Sequence, residues 1–364
     1  MKNPWMGLAI SGALLILGMG ASGARAQSVD LLVRQARVID GTGAPWFMAD
    51  VAIADGRIVA VGRNLDMDAT RSVDAGGRIL APGFIDVHTH ADRGIGDLPR
   101  ADNFVLDGVT TVVGGNCGGS EVDIGAWSAG LADLGINVAT LVGHNSIRQE
   151  VMGLADRPPT ADELEQMQML VERAMKDGAV GFSTGLLYVP GTYATTAEVI
   201  SLARAAARLG GVYASHIREQ GAELHRSIEE AVEVGREAGM PVQISHFKVK
   251  GRTRWGTIGE ALALVEGHRA SGVDVLIDVY PYERASTNLG VNLPRWAVAG
   301  GTEEIAIRIN DPATRERIVA GMKTLLEGQG YDDYSFAQVA QYEPNPDWNG
   351  KTISEINLLA GKDP

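Results

Sequence analysis

Ala81-Pro82-Gly83-Phe84-Ile85-Asp86-Val87-His88-Thr89-His90 marks where the sequence changes texture. Pro-Gly punctuates the chain, residues 84–87 form a short apolar strand, and two histidines stand at its end. On a strand, residues i and i+2 point to one side, so His88 and His90 present two imidazoles together. Alone the pair is a weak signal, because a strand end readily carries two solvated or hydrogen-bonded histidines. The sequence downstream strengthens it. Short apolar runs recur at 110–113, 138–142, 180–182, 212–214, 242–244 and 273–279, with amphipathic stretches between them. The clearest, 160–177, opens on a Thr160-x-x-Glu163 capping box after Pro158-Pro159. Others cover 196–209, 221–238 and 258–271. Strands separated by helices imply parallel units of about 30 residues each.

Residues 81–364 have the length of a (β/α)8 barrel, about 250 residues. Seven strands are legible. The remaining stretch, 281–364, is rich in Gly, Asp, Asn and Pro, and shows only a helix-like run at 353–360. The expected fold is therefore α/β: a TIM-type (β/α)8 barrel that stops before its eighth strand. Upstream, residues 27–80 alternate in short runs at 31–33, 37–39, 51–53 and 58–61, with a hairpin signal at Asp55-Gly56 and no helical period. This is expected to be a small N-terminal β-domain. Before it, Lys2, an uncharged apolar run at 6–20 and Ala24-Arg25-Ala26 read as a secretory signal with residues 1–26 removed. The run is shorter than the ~20 residues a membrane span requires. The mature chain is expected in the periplasm or medium, away from the membrane.

Composition narrows the function. Of 364 residues, 45% are apolar and 21% charged, which suits a globular core and excludes a disordered chain. The net charge of −13 disfavours nucleic acid and anionic membranes as partners. With one cysteine, no intrachain disulfide is possible.

That cysteine and four of the seven histidines stand at or just past strand ends: His88, His90, Cys117, His216 and His246. The C-termini of parallel barrel strands meet at one face, where sites form. Cys117 sits in Gly114-Gly115-Asn116-Cys117-Gly118-Gly119, a loop and not a core segment. His216 and His246 each follow a serine, one repeat apart. A mixed nitrogen and sulfur donor set suits Zn2+ over magnesium or calcium. His144 reads as structural. His225 and His268 fall on helices and read as solvated.

These residues carry a resemblance. The run 81–90 is similar to the first barrel strand of the amidohydrolase superfamily. Gly115-Asn116-Cys117-Gly118, Ser215-His216-Ile217-Arg218, Ser245-His246-Phe247-Lys248 and Asp278-Val279-Tyr280-Pro281-Tyr282 resemble its N-acyl-D-amino-acid deacylases, the D-aminoacylases. The resemblance implies a tighter zinc on Cys117, His216 and His246, and a second, weaker position using His88, His90 and Cys117. It places substrate-carboxylate contacts on Lys248, Tyr280 and Ser286. It implies a small-molecule substrate, an N-acyl-D-amino acid, hydrolysed to a carboxylate and a D-amino acid. Residues 180–185 lack the lysine with which many amidohydrolases bridge two metals, which favours the cysteine-based type. The family's catalytic aspartate, at the eighth strand, is expected beyond Pro364. Asp278 is expected to hold hydrogen bonds and not to serve as the base. Two alternatives stand beside this reading: a metal-binding fragment without turnover, and another amidohydrolase such as a dipeptidase or cyclic-amide hydrolase.

Overall fold

The computed structural model describes residues 28–362. The signal expected in 1–27 lies outside the described residues. Among the described residues no helix is long and apolar enough to cross a membrane. The chain divides into two compact units, one ending at Pro82 and one beginning at Gly83.

The first unit is a sheet of β1 (Val29–Val38), β2 (Phe47–Ala54), β3 (Arg57–Gly62), β4 (Ala69–Asp74) and β5 (Ile79–Leu80). Its order is β3-β2-β1-β4, with β5 also on β1. The two runs read at 31–33 and 37–39 are one strand, irregular between Val33 and Ala36, where Gln35 turns to a φ of 55°. Buried Asp50 fixes that irregularity by accepting the Gln35 N–H (2.8 Å) and the Leu65 N–H (3.0 Å). Asp55 and Gly56 take φ values of 51° and 69°, the left-handed pair that a tight two-residue hairpin needs. Strand β4 has no apolar alternation to announce it, since Ala-Thr-Arg-Ser-Val-Asp is almost wholly exposed.

The second unit alternates strands and helices. In order they are β6 (Phe84–Asp86), α1 (Asp102–Val105), β7 (Val109–Gly114), α2 (Ile124–Ala129), β8 (Asn137–Thr140), β9 (Val142–Gly143), α3 (His144–Met152), α4 (Ala161–Lys176), β10 (Gly181–Gly185), α5 (Thr196–Ala207), β11 (Val212–His216), α6 (Leu224–Ala238), β12 (Val242–Ile244), α7 (Ile258–Ala270) and β13 (Val275–Ile277). Strands β6-β7-β8 form one parallel ladder and β9 to β13 a second, each in chain order. Only Leu141 separates β8 from β9. Its N–H goes to the Gly114 carbonyl, and the Val180 N–H goes to the Thr140 carbonyl. The single run read at 138–142 therefore serves both ladders, giving seven consecutive parallel positions.

The strands do not close into a barrel. Among the described residues no ladder joins β6 to β13, and the sheet is an open parallel arc. The arc nonetheless curls, because His88 beyond β6 meets Asp278 beyond β13, with Nδ1 to Oδ2 at 3.2 Å. Burial is deepest mid-arc. Phe182 and Tyr213 stack with ring centres 6.1 Å apart, and neither is exposed. Against them lie Met167 and Val171 of α4, Val199 and Leu202 of α5, Ile228 and Val232 of α6, and Val265 of α7. Each such side chain contributes about 1.5–3 kcal/mol by leaving water. At the arc's ends this burial is lost: Phe84 is 65% exposed and Leu276 52%.

The capping box predicted for α4 is present: Thr160 Oγ1 accepts the Glu163 N–H, and the Glu163 carboxylate accepts the Thr160 N–H. Three further helices occupy the stretch with no legible strand: α8 (Thr302–Asn310), α9 (Pro312–Gly328) and α10 (Ile353–Leu359). The first two escape the sequence reading because α8 buries no residue and α9 only Ile318 and Leu326, leaving no strong period. His144 is fully buried and structural, its Nε2 3.0 Å from Glu198. His225 is exposed. His268 is half-buried and paired with Glu229 at 3.1 Å, so it is not simply solvated: α7 packs on α6 and brings the two together.

Candidate metal centre

The site begins with a loop that only small residues can form. After β7 the chain passes Gly115 (φ +69°), Cys117 (φ +56°) and Gly118 (φ +77°). A Cβ on Gly115 would fall 2.0 Å from the Leu141 carbonyl oxygen, and one on Gly118 would fall 2.1 Å from Asn145 Oδ1. Cys117 is no glycine, so its left-handed backbone is strain that the surroundings hold in place. Fully buried Ser183 on β10 does part of this: its hydroxyl donates to the Gly115 carbonyl and accepts the Gly118 N–H. Asn116 donates to the carbonyls of Val113 (3.0 Å) and Thr89 (3.4 Å), tying the cysteine loop to the His88 loop.

The thiol faces two imidazoles. Cys117 Sγ is 3.5 Å from His88 Nε2 and 3.6 Å from His246 Nε2. Ligand atoms of His88, Cys117 and His246 all lie within 4.8 Å of one another. His246 follows β12 in a left-handed conformation (φ +39°) and His88 follows β6. Asp278 secures both. Its carboxylate is 3.2 Å from His88 Nδ1, accepts the His246 backbone N–H, and accepts from Gln243 Nε2 at 3.0 Å. A carboxylate behind an imidazole fixes which ring nitrogen faces the metal and in what plane. Gln220 Nε2 stands 3.1 Å from His246 Nδ1.

His216, at the end of β11, stands one step out from the sulfur. Its Nδ1 is 2.7 Å from His246 Nε2, and its Nε2 is buried without a hydrogen-bond partner. The compact cluster is thus His88, Cys117 and His246, and His216 adjoins it through the His246 ring. His90 is exposed, its ring 5.8 Å from that of His88. The strand ends at Asp86, so alternation does not carry on to residue 90, and buried Thr89 takes the inward position.

Burial, and then the charge of Lys248, pulls His216 down to about 3. Burial, with His216 and Lys248, pulls His246 down to about 2. Both rings are therefore neutral near pH 7 and keep a lone pair for a metal. Burial opposes charge on His88 as well, but hydrogen bonds to Asp278 and Cys117 outweigh it and raise the ring to about 9. The neutral imidazoles of His216 and His246 beside the thiol, with one buried imidazole nitrogen still unpartnered, fit a metal ion bound by nitrogen and sulfur, and His88 would join them by giving up its proton.

Lys248 and Tyr280 come together at the same rim. The Lys248 ammonium lies 5.4 Å over the Tyr280 ring and donates to the His246 carbonyl, and burial lowers its pKa to about 8. Ser286 is not brought to them. It is exposed on the loop after β13 and makes no hydrogen bond to either among the described residues. Tyr188, which the sequence did not single out, packs on His216 with ring centres 4.7 Å apart and shares a 3.1 Å hydrogen bond with Thr287.

Parallel strands thus deliver histidines and a cysteine to one rim, as a donor set for a metal ion. The comparisons agree. The amidohydrolase family model matches residues 71–292. An N-acyl-D-glutamate deacylase of Alcaligenes xylosoxydans xylosoxydans is 40% identical over 287 residues, 72% of this chain and 59% of that protein. A crystal structure of a D-aminoacylase superposes with a TM-score of 0.76 at 32% identity, covering 92% of this chain and 68% of that one. The N-acyl-D-glutamate deacylase of Bordetella bronchiseptica, crystallised with zinc and a phosphonate mimic of the tetrahedral intermediate, gives 0.77 at 32% identity over 93% of this chain and 68% of its own. The chain belongs to the amidohydrolase family and, within it, to the branch of the N-acyl-D-amino-acid deacylases. It spans about 59% of the length of the curated relative it matches at 40% identity.

Proposed function

We propose that this protein hydrolyses the amide bond of N-acyl-D-amino acids, releasing a carboxylate and a D-amino acid, and that its metal is zinc. The observation that carries the proposal is the Cys117 sulfur set between His88 and His246 at 3.5 and 3.6 Å. Thiolate with imidazole is a zinc donor set. His88, Cys117 and His246 would hold the ion, with His216 Nδ1 beside them, 2.7 Å from His246 Nε2. When bound, zinc supplies Lewis acidity, polarising the amide carbonyl and making water nucleophilic near neutral pH.

The chain's own residues bind and orient. Lys248 and Tyr280 offer a cation and a hydroxyl to the substrate's α-carboxylate, and Ser286 belongs to the loop that follows them. Asp278 positions His88 and His246. Its oxygens are committed to three hydrogen bonds, so it does not carry the proton to the leaving amine. That task falls to the aspartate that the resemblance places after an eighth strand, which would also complete the TIM-type barrel begun by the curled arc. Met1–Gln27 would direct the protein out of the cytoplasm.

The test is metal analysis of the purified protein with Cys117→Ala beside it, and turnover on N-acetyl-D-methionine, its L-enantiomer and a cyclic amide. One zinc or more in the wild type, lost in Cys117→Ala, with D-selective turnover is the expected result. Zinc without turnover would leave a metal-binding chain only. Preference for the cyclic amide would move the protein to another amidohydrolase activity.

A further inference from the structure

Gln220 lies at the end of the Ser215-His216-Ile217-Arg218-Glu219-Gln220 run leaving β11, only 6% exposed. Its amide stands 3.1 Å from Nδ1 of His246, while Nε2 of the same ring faces the sulfur at 3.6 Å. Among the described residues it is the one hydrogen-bonding partner of Nδ1. Nε2 also lies 2.7 Å from His216 Nδ1, and the backbone is held separately, with Asp278 taking the N–H and Lys248 the carbonyl. Gln220 is itself anchored, since its carbonyl accepts the Lys250 N–H at 2.8 Å. The preceding residue is fixed too: Ser227 Oγ accepts the Glu219 N–H, and the Glu219 carboxylate accepts the N–H groups of Gly221 and Glu223.

We infer that Gln220 is a positioning residue of the metal centre, setting which nitrogen of His246 is left free to face Cys117. A neutral imidazole carries its proton on one nitrogen and its lone pair on the other. For Nε2 to donate to a metal, Nδ1 must carry the proton and needs an acceptor. A primary amide supplies one: a half-turn about its last bond brings Oε1 in place of Nε2, at little cost because the two ends are nearly the same size. This rests on the reading of the cluster as a metal centre.

The experiment titrates Co2+ into metal-free protein, following the visible cobalt spectrum, and competes it with zinc. Wild type, Gln220→Met, Gln220→Glu and Gln220→Asn are compared. Gln220→Met keeps the length but has no strong acceptor, and is expected to bind about 10–100-fold more weakly with an altered spectrum. Gln220→Glu keeps an acceptor and is expected to stay near wild type. Gln220→Asn, one methylene short, is expected to weaken binding about tenfold, and it decides the matter if the methionine variant does not fold. Cobalt binding in Met or Asn variants equal to wild type, or Glu as weak as Met, overturns the inference. No cobalt uptake by the wild type would instead overturn the metal-centre reading.

Discussion

At Gly185, the last residue of β10, an added Cβ falls 2.1 Å from the Cys117 carbonyl oxygen. Gly185→Ala must therefore push the cysteine loop away from His88 and His246. We expect a loss of about 1–3 kcal/mol in stability, as for overpacking elsewhere, and weaker zinc binding. Chelator competition beside urea unfolding reads both, and unchanged metal affinity would show that the loop has slack. Asp278→Asn tests the other wall. An asparagine has one acceptor oxygen where His88 Nδ1, Gln243 and the His246 N–H now share two. Metal affinity is expected to fall about 10–100-fold, checked by the same competition. These residues differ in how they could be read. Cys117, His88 and His246 were legible because rare, reactive side chains stood at strand ends. Asn116, Ser183 and Gln220 were not, because their work is hydrogen bonding to backbone or ring atoms that only the fold brings close.

Among the elements, α3 and α5 are joined by a buried ionic cluster. Arg148 Nη1 lies 2.8 and 2.7 Å from the two Glu198 oxygens, and its Nη2 donates to the carbonyls of Ala155 and Arg157. Burial alone would raise the Glu198 pKa, but the His144 hydrogen bond and charge, with Arg148, hold it below the usual carboxylate range. The sign follows from linkage. A carboxylate with a lowered folded pKa adds stability that is fully present above its unfolded pKa, about 4.3, and is lost as pH falls through the folded value. Glu198→Gln leaves a buried guanidinium unpaired and is expected to cost about 3–5 kcal/mol at pH 7. The gap from wild type should narrow as pH drops below about 4. Urea midpoints across that range decide it, and parallel curves for the two proteins would be the contrary result. Nothing in the sequence pointed to this pair, because Arg148 and Glu198 lie on different helices and look like ordinary surface charges. Helix α4 was legible by contrast, since its capping box is local chemistry. Strand β4 and helix α8 were illegible for the opposite reason: neither buries enough for hydrophobic spacing to show.

Across the second unit, the donors come from segments far apart in the chain. Cys117 is 29 residues from His88 and 129 from His246, and the three follow β7, β6 and β12. An ion held by all three ties together parts of an arc whose end strands are otherwise exposed. An unfolded chain cannot offer these groups together, so binding stabilises the folded form by mass action, about 2.7 kcal/mol at a free concentration 100 times Kd. A unit of this size should then melt several degrees higher, at roughly 2–4 °C per kcal/mol. Calorimetry with zinc and with a chelator should show that difference. Cys117→Ser should remove most of it while melting near the metal-free wild type, since the cysteine is only half-buried and serine nearly matches its size. Sequence spacing placed these groups at strand ends, but the curl that brings them within reach depends on the whole arc. If zinc leaves the wild-type Tm unmoved, the sulfur and imidazoles hold no ion strongly enough to tie the strands. If Cys117→Ser keeps the full zinc increment, the ion sits elsewhere.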